Sequence, residues 1–82
     1  RESGFGRYDV VLEPASRADD AIIIEFKVHN PRKEKTIEET VENALQQIEE
    51  KKYETSLTAR GIPAEKIRKY GFAFEGKTVL IG

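Results

Sequence analysis

A mixed α/β fold, in which a β-sheet of parallel and antiparallel strands is crossed by one helix, is predicted by three features of the sequence. Stretches rich in β-branched and aromatic residues lie towards both ends of the chain. A stretch in the middle repeats apolar residues at helical spacing. The polar connections within each β-rich end suit hairpins, whereas the helical stretch is long enough to carry the chain across a sheet.

Residues 1–6 (Arg-Glu-Ser-Gly-Phe-Gly) are glycine-rich and fit the entrance to a strand, which then runs over residues 7–13. Pro14 to Asp20 is a polar connection. Ala21 to Val28 is the strongest strand, and its Ile22-Ile23-Ile24 run, apolar on both faces, implies a central strand covered on both sides. Asn30 and Pro31 stop it, and Arg32 to Lys35 form a charged linker. Thr36 with Glu39 makes a capping-box pattern. Behind it Ile37, Val41, Ala44, Leu45 and Ile48 cover one stripe of a helix of roughly four turns. A shorter helix is predicted from about Tyr53 to Arg60, with Gly61 as its stop and Pro63 just beyond. Arg68 to Glu75 reads as a strand with Tyr70, Phe72 and Phe74 on one face; Gly76 turns the chain into a last strand, Lys77 to Ile81. The first two strands form an antiparallel hairpin, the crossover makes the third parallel to Ala21–Val28, and the last two form a second hairpin. Only the middle of the chain is helical, so one face of the sheet is expected to lack cover.

At 82 residues the chain fits one small domain, spanning 1–82. Its 38% hydrophobic and 35% charged residues are those of a globular chain with a charged exterior. A net charge of −1 excludes a bulk basic field for coating nucleic acid, but not a local patch. With no cysteine, disulfides, zinc–thiolate sites and thiol nucleophiles are excluded. No apolar run approaches the roughly 20 residues of a membrane helix, so no membrane partner is expected. Methionine is absent even at position 1. The chain is therefore read as part of a longer protein, cut before Arg1, with a cytoplasmic origin as the default.

Charge inside the strongest strand breaks its pattern. Glu25 and Lys27 sit two apart and point to the same side of the sheet. If the preceding connection is centred near Arg17, Asp9 lies across from Glu25, with Cβ atoms about 5 Å apart. Two facing carboxylates repel each other, and a divalent cation between them turns that cost into a binding site. Mg²⁺ is typically held by one or two carboxylates, with waters and substrate phosphates completing its shell. Lys27 can orient or deprotonate an attacking water there, or neutralise charge on a phosphate. Asp9, Glu25 and Lys27 thus outline a phosphodiester-hydrolysing site.

Plainer readings stand beside this one. Asp9 also fits a solvated strand position or a partner for Arg7, and Glu25 with Lys27 fits a same-face salt bridge worth at most ~1 kcal/mol. His29 is expected to be exposed and, without a second histidine, is not read as a ligand. Arg32, Lys33 and Lys35 suit phosphate contacts or a solvated loop, Glu34 interrupting the run. Lys51 and Lys52 suit helix-end charges favourable to the dipole. Tyr53, Tyr70, Phe72 and Phe74 are expected to pack.

The pattern Asp9 … Glu25-Phe26-Lys27 resembles the signature of the PD-(D/E)XK nuclease superfamily. Four longer segments extend the likeness: Gly-Phe-Gly-Arg-Tyr-Asp-Val-Val-Leu, Ile-Ile-Ile-Glu-Phe-Lys-Val, Ala-Leu-Gln-Gln-Ile-Glu-Glu-Lys-Lys-Tyr and Tyr-Gly-Phe-Ala-Phe-Glu-Gly-Lys. In this order they resemble the nuclease-like domain at the C-terminal end of bacterial AAA-ATPase-like proteins. The resemblance implies a restriction-endonuclease-like core and an AAA-ATPase-like domain in the same parent chain. It implies that Asp9, Glu25 and the Phe26 carbonyl bind Mg²⁺ or Mn²⁺ and that Lys27 assists hydrolysis. It also implies a helix glutamine; Gln47, beside the apolar stripe, fits better than Gln46, nearly opposite it. Tyr53 follows Gln47 at a longer spacing than in the best-known glutamine–tyrosine motif. The family's first core helix, which often supplies a further acidic residue, and the strand after it would lie before Arg1, so the fold is expected to be truncated at its N-terminus. Two readings follow: a metal-dependent nuclease acting on nucleic acid, DNA first, or a catalytically inactive module of that fold for nucleic-acid binding or self-association. The uncovered sheet face makes a homodimer or strand exchange an expectation of the second.

Overall fold

The computed structural model describes residues 2–4, 7–16 and 19–82. Strands β1 (Glu2–Gly4), β2 (Arg7–Leu12) and β3 (Ala21–Val28) are followed by helices α1 (Ile37–Glu50) and α2 (Tyr53–Ala59) and a 3₁₀ turn at Ala64–Lys66. Strands β4 (Ile67–Glu75) and β5 (Thr78–Ile81) close the chain. The strands form one sheet in the order β1-β2-β3-β4-β5. Strands β3 and β4 pair in parallel and the other neighbours antiparallel, so the sheet is mixed and the helices are its crossover, as the sequence predicts. Glu2–Gly4, expected only to lead into a strand, forms a short edge strand of its own. The rest of that leading segment, and Arg17 at the expected centre of the first hairpin connection, lie outside the described residues.

Both helices cover the same face. Ala21 and Ile23 of β3 are fully buried there against Ile48 of α1, Leu57 of α2 and Ile67 of β4. Val11, Leu45, Tyr53 and Ile62 pack around this core. The Ile22–Ile24 run is therefore not covered on both sides: Ile22 and Ile24 stay half-buried on the opposite face. Cover on that face comes from rings of the sheet itself. Phe26 packs against Tyr8, Phe72 and Phe74 with centroids 5.9, 5.1 and 6.2 Å apart. Tyr8, Leu12, Val28, Tyr70, Val79 and Ile81, all large and exposed, share this open face by their register.

Local chemistry sets the helix ends. The Thr36 hydroxyl accepts the Glu39 N–H at 3.2 Å, as a cap should. The Glu39 carboxylate reaches one residue further back than the capping-box pattern implies and accepts the Lys35 N–H at 3.1 Å. Helix α1 stops at Lys52, whose φ of 58° and ψ of 35° lie in the left-handed region that few non-glycine residues adopt. Gly61, at φ 95°, stops α2.

Gly71 of β4, beside Glu25 in the parallel register, lies close beneath α1. A Cβ at Gly71 would sit 2.9 Å from the Val41 carbonyl oxygen and 3.1 Å from the Ala44 Cβ. Backbone cannot yield as a flexible side chain does, so Gly71→Ala should destabilise the protein by about 1–3 kcal/mol through overpacking. Chemical denaturation checks this, with the midpoint falling while the slope stays unchanged.

Candidate functional site

The β2–β3 hairpin pairs Asp9 with Glu25, as the loop length predicts. Both point to the helix-covered face, where Asp9 is 3% exposed and Glu25 0%. Burying two like charges side by side is strongly unfavourable unless a cation lies between them. The cation there is the ammonium of Lys51. Its Nζ lies 2.9 Å from Asp9 Oδ2 and 3.2 and 3.4 Å from the two Glu25 oxygens. The Tyr53 hydroxyl donates a hydrogen bond to the same Asp9 oxygen. Burial alone would push the Asp9 carboxyl up; the Tyr53 hydroxyl and the Lys51 ammonium outweigh it and hold the carboxyl at about 2.

Lys51, which the sequence presents as a helix-end charge, reaches into the carboxylate centre, and Tyr53, which packs on the core as expected, also sends its hydroxyl there. A signal for Lys51 lies in the helix period. The stripe Val41, Ala44, Ile48 continues at the same spacing to position 51, so the lysine leaves α1 on the face that packs on the sheet. The left-handed Lys52 then turns the chain so that Tyr53 follows Lys51 back towards Asp9.

Lys27 shares the Glu25 face, as alternation requires, but its ammonium turns to Glu34, with Nζ 2.6 Å from Oε2. Glu34 is not an interruption in a solvated loop: it is 2% exposed. An Asn30 side chain that accepts the Arg32 N–H at 3.0 Å curls the loop, and Glu34 folds back beneath it. Its carboxylate accepts the Asn30 N–H at 2.8 Å, the Thr40 hydroxyl at 2.9 Å and the Asn43 amide at 2.7 Å. Burial would raise the Glu34 carboxyl; these donors and the Lys27 ammonium overcome it and hold the group at about 2. His29, expected on the outside, is buried at its side chain, with Nδ1 2.7 Å from Thr40 Oγ1 and 3.5 Å from Glu34 Oε1.

A cleft beside this cluster is lined by Lys27, Lys33, Asn43 and both glutamines of α1, Gln46 and Gln47. Gln47 is half-buried and Gln46 exposed, in keeping with their places relative to the apolar stripe. The Phe26 ring lies on the opposite, open face. Asp9 and Tyr53 line a separate recess.

The carboxylate centre fits a hard divalent cation by the chemistry of its donors. Two buried carboxylates already converge on the Lys51 ammonium. Among the described residues no cluster of three or more acidic, histidine or cysteine side chains forms a metal cage. A cation there would therefore draw further oxygen ligands from backbone, water or a bound phosphate, a mode usual for Mg²⁺. No described helix is long and apolar enough to cross a membrane.

The sequence profile of the PD-(D/E)XK nuclease superfamily matches residues 1–82. No curated protein and no solved structure matches the chain.

Glu34 gives the protein an acid-sensitive element. Its carboxyl is depressed from 4.5 to about 2 on folding, so the stability it contributes is complete above pH 4.5 and is lost as the pH falls towards 2. Glu34→Gln removes the charge and keeps the shape. The variant should melt below the wild type at pH 7, and the gap should narrow as the pH is lowered through that window in calorimetric scans.

Proposed function

The chain belongs to the PD-(D/E)XK nuclease superfamily, and from that membership we propose that it is a metal-dependent nuclease-like domain hydrolysing phosphodiester bonds in nucleic acid, with DNA as the expected substrate. One observation carries the reading: Asp9 and Glu25, buried and in register, converge on the Lys51 ammonium. Nucleases of this superfamily generally use divalent metals.

In the proposal Asp9, Glu25 and the Phe26 carbonyl hold Mg²⁺ or Mn²⁺. The cation, when bound, polarises the scissile phosphate and lowers the pKa of the attacking water. Lys27, whose ammonium is paired with Glu34 beside the cleft, neutralises charge on the phosphate. Glu34 fixes its direction through bonds to α1 and to the loop after β3. Gln47 lines the same cleft as Lys27 and supplies an amide to orient the substrate or the water. Tyr53 steadies Asp9 from the side.

Titration of the protein and DNA with Mg²⁺ or Mn²⁺ tests this. Asp9→Ala should abolish cleavage. Lys27→Ala should lower it by about 10²-fold or more, the usual cost of losing a charge-stabilising donor. Cleavage unchanged in both variants rejects the assigned roles.

A further inference from the structure

The carboxylate centre is already bridged before any metal arrives, and this bears on how it would take one. We propose that Lys51 is an internal competitor of the divalent cation: its ammonium holds Asp9 and Glu25 together in the metal-free protein and must leave before a cation binds. The inference rests on the metal-dependent reading above and adds a residue to it.

Geometry makes the two occupants exclusive. Lys51 Nζ lies within 3.4 Å of three carboxylate oxygens belonging to the proposed ligands. A divalent ion seated between the two carboxylates, where the ammonium now lies, could not share that space with it. Like charges so close together in a buried site repel too strongly to coexist. Departure is open to the lysine. Its side chain is 23% exposed although both carboxylates are buried, and its four-carbon stem carries a compact charge that can swing into water. The rest of the site stays in place as it leaves. Asp9 keeps the Tyr53 hydroxyl, and both carboxylates are fixed on paired strands. Lys51 thus stabilises the metal-free fold, and the same contacts lower the affinity for metal.

Isothermal titration with Mn²⁺ of the wild type, Lys51→Met and the double variant Lys51→Met/Glu25→Gln is the test. Methionine keeps the apolar stem and removes the charge. Lys51→Met should bind Mn²⁺ about tenfold or more tightly than the wild type, and Glu25→Gln should cancel the gain. Equal or weaker binding by Lys51→Met overturns the inference while leaving a metal-binding wild type, and so the nuclease reading, intact. No binding by either protein overturns both. A second measurement needs no variant: acetylation of wild-type lysines, read by mass spectrometry with and without Mn²⁺. Metal should raise the labelling of Lys51 several-fold relative to Lys69, whose partners Glu49 and Glu54 lie outside the site. Unchanged labelling of Lys51 at saturating Mn²⁺ also overturns the inference.

Discussion

Asp9 and Glu25 face each other across the β2–β3 register with almost no solvent to share. Two carboxylates in that position cannot both stay charged without a positive partner, because burial removes the water that would otherwise screen them. Much of the remaining architecture answers this constraint. Helix α1 ends where the residue that caps it, Lys51, can lower an ammonium between the acids, and the chain reverses at Lys52 so that Tyr53 reaches the same oxygen. Gly71 lets the helix lie close to the sheet beside Glu25, so that a lysine stem spans the remaining gap.

Helix α1 also ties the carboxylate centre to the second polar cluster. Thr40 and Asn43, near its start, bind Glu34; Lys51, at its end, binds Asp9 and Glu25. Val41, Ala44 and Ile48 lie between them and bury the apolar stripe. Register on the sheet is thereby fixed three times, by two polar contacts of opposite sense and by packing. A rotation of α1 by one residue, about 100°, would break all three together. The helix-covered face carries the core and every proposed site side chain, while the open face is left to the aromatic cluster of Tyr8, Phe26, Phe72 and Phe74.

The sheet was largely legible in the sequence because strand parity and loop length leave few choices. A one-residue slip of the β2–β3 hairpin would send every apolar residue of one strand to the wrong face, and the loop length selects, among the registers left, the one that puts Asp9 beside Glu25. The crossover fixed the parallel β3–β4 pair in the same way. Glu34, Lys51 and Tyr53 were harder to read, since their roles depend on partners distant in sequence. Lys51 meets Asp9 across 42 positions and Glu25 across 26, so nothing beside it in the chain separates it from an ordinary helix-end lysine. Glu34 sits among Arg32, Lys33 and Lys35, a run that looks solvated until the Asn30 turn folds it inward. Helical period alone marked Lys51, and only if the apolar stripe is followed one step beyond its last apolar member.

The different fates of the two lysines follow from the elements that carry them. Side chains on a strand stand roughly perpendicular to the sheet, so Lys27 rises alongside Glu25 rather than across the gap between Glu25 and Asp9. A bridging cation has to come from above, and the helix end supplies it through Lys51. That leaves Lys27 facing the cleft shared with Gln47, where Glu34 holds its charge in one direction. The two positive charges are thus sorted by backbone geometry. The helix lysine neutralises the acids, and the strand lysine stays beside the cleft, where the proposed substrate phosphate would meet it.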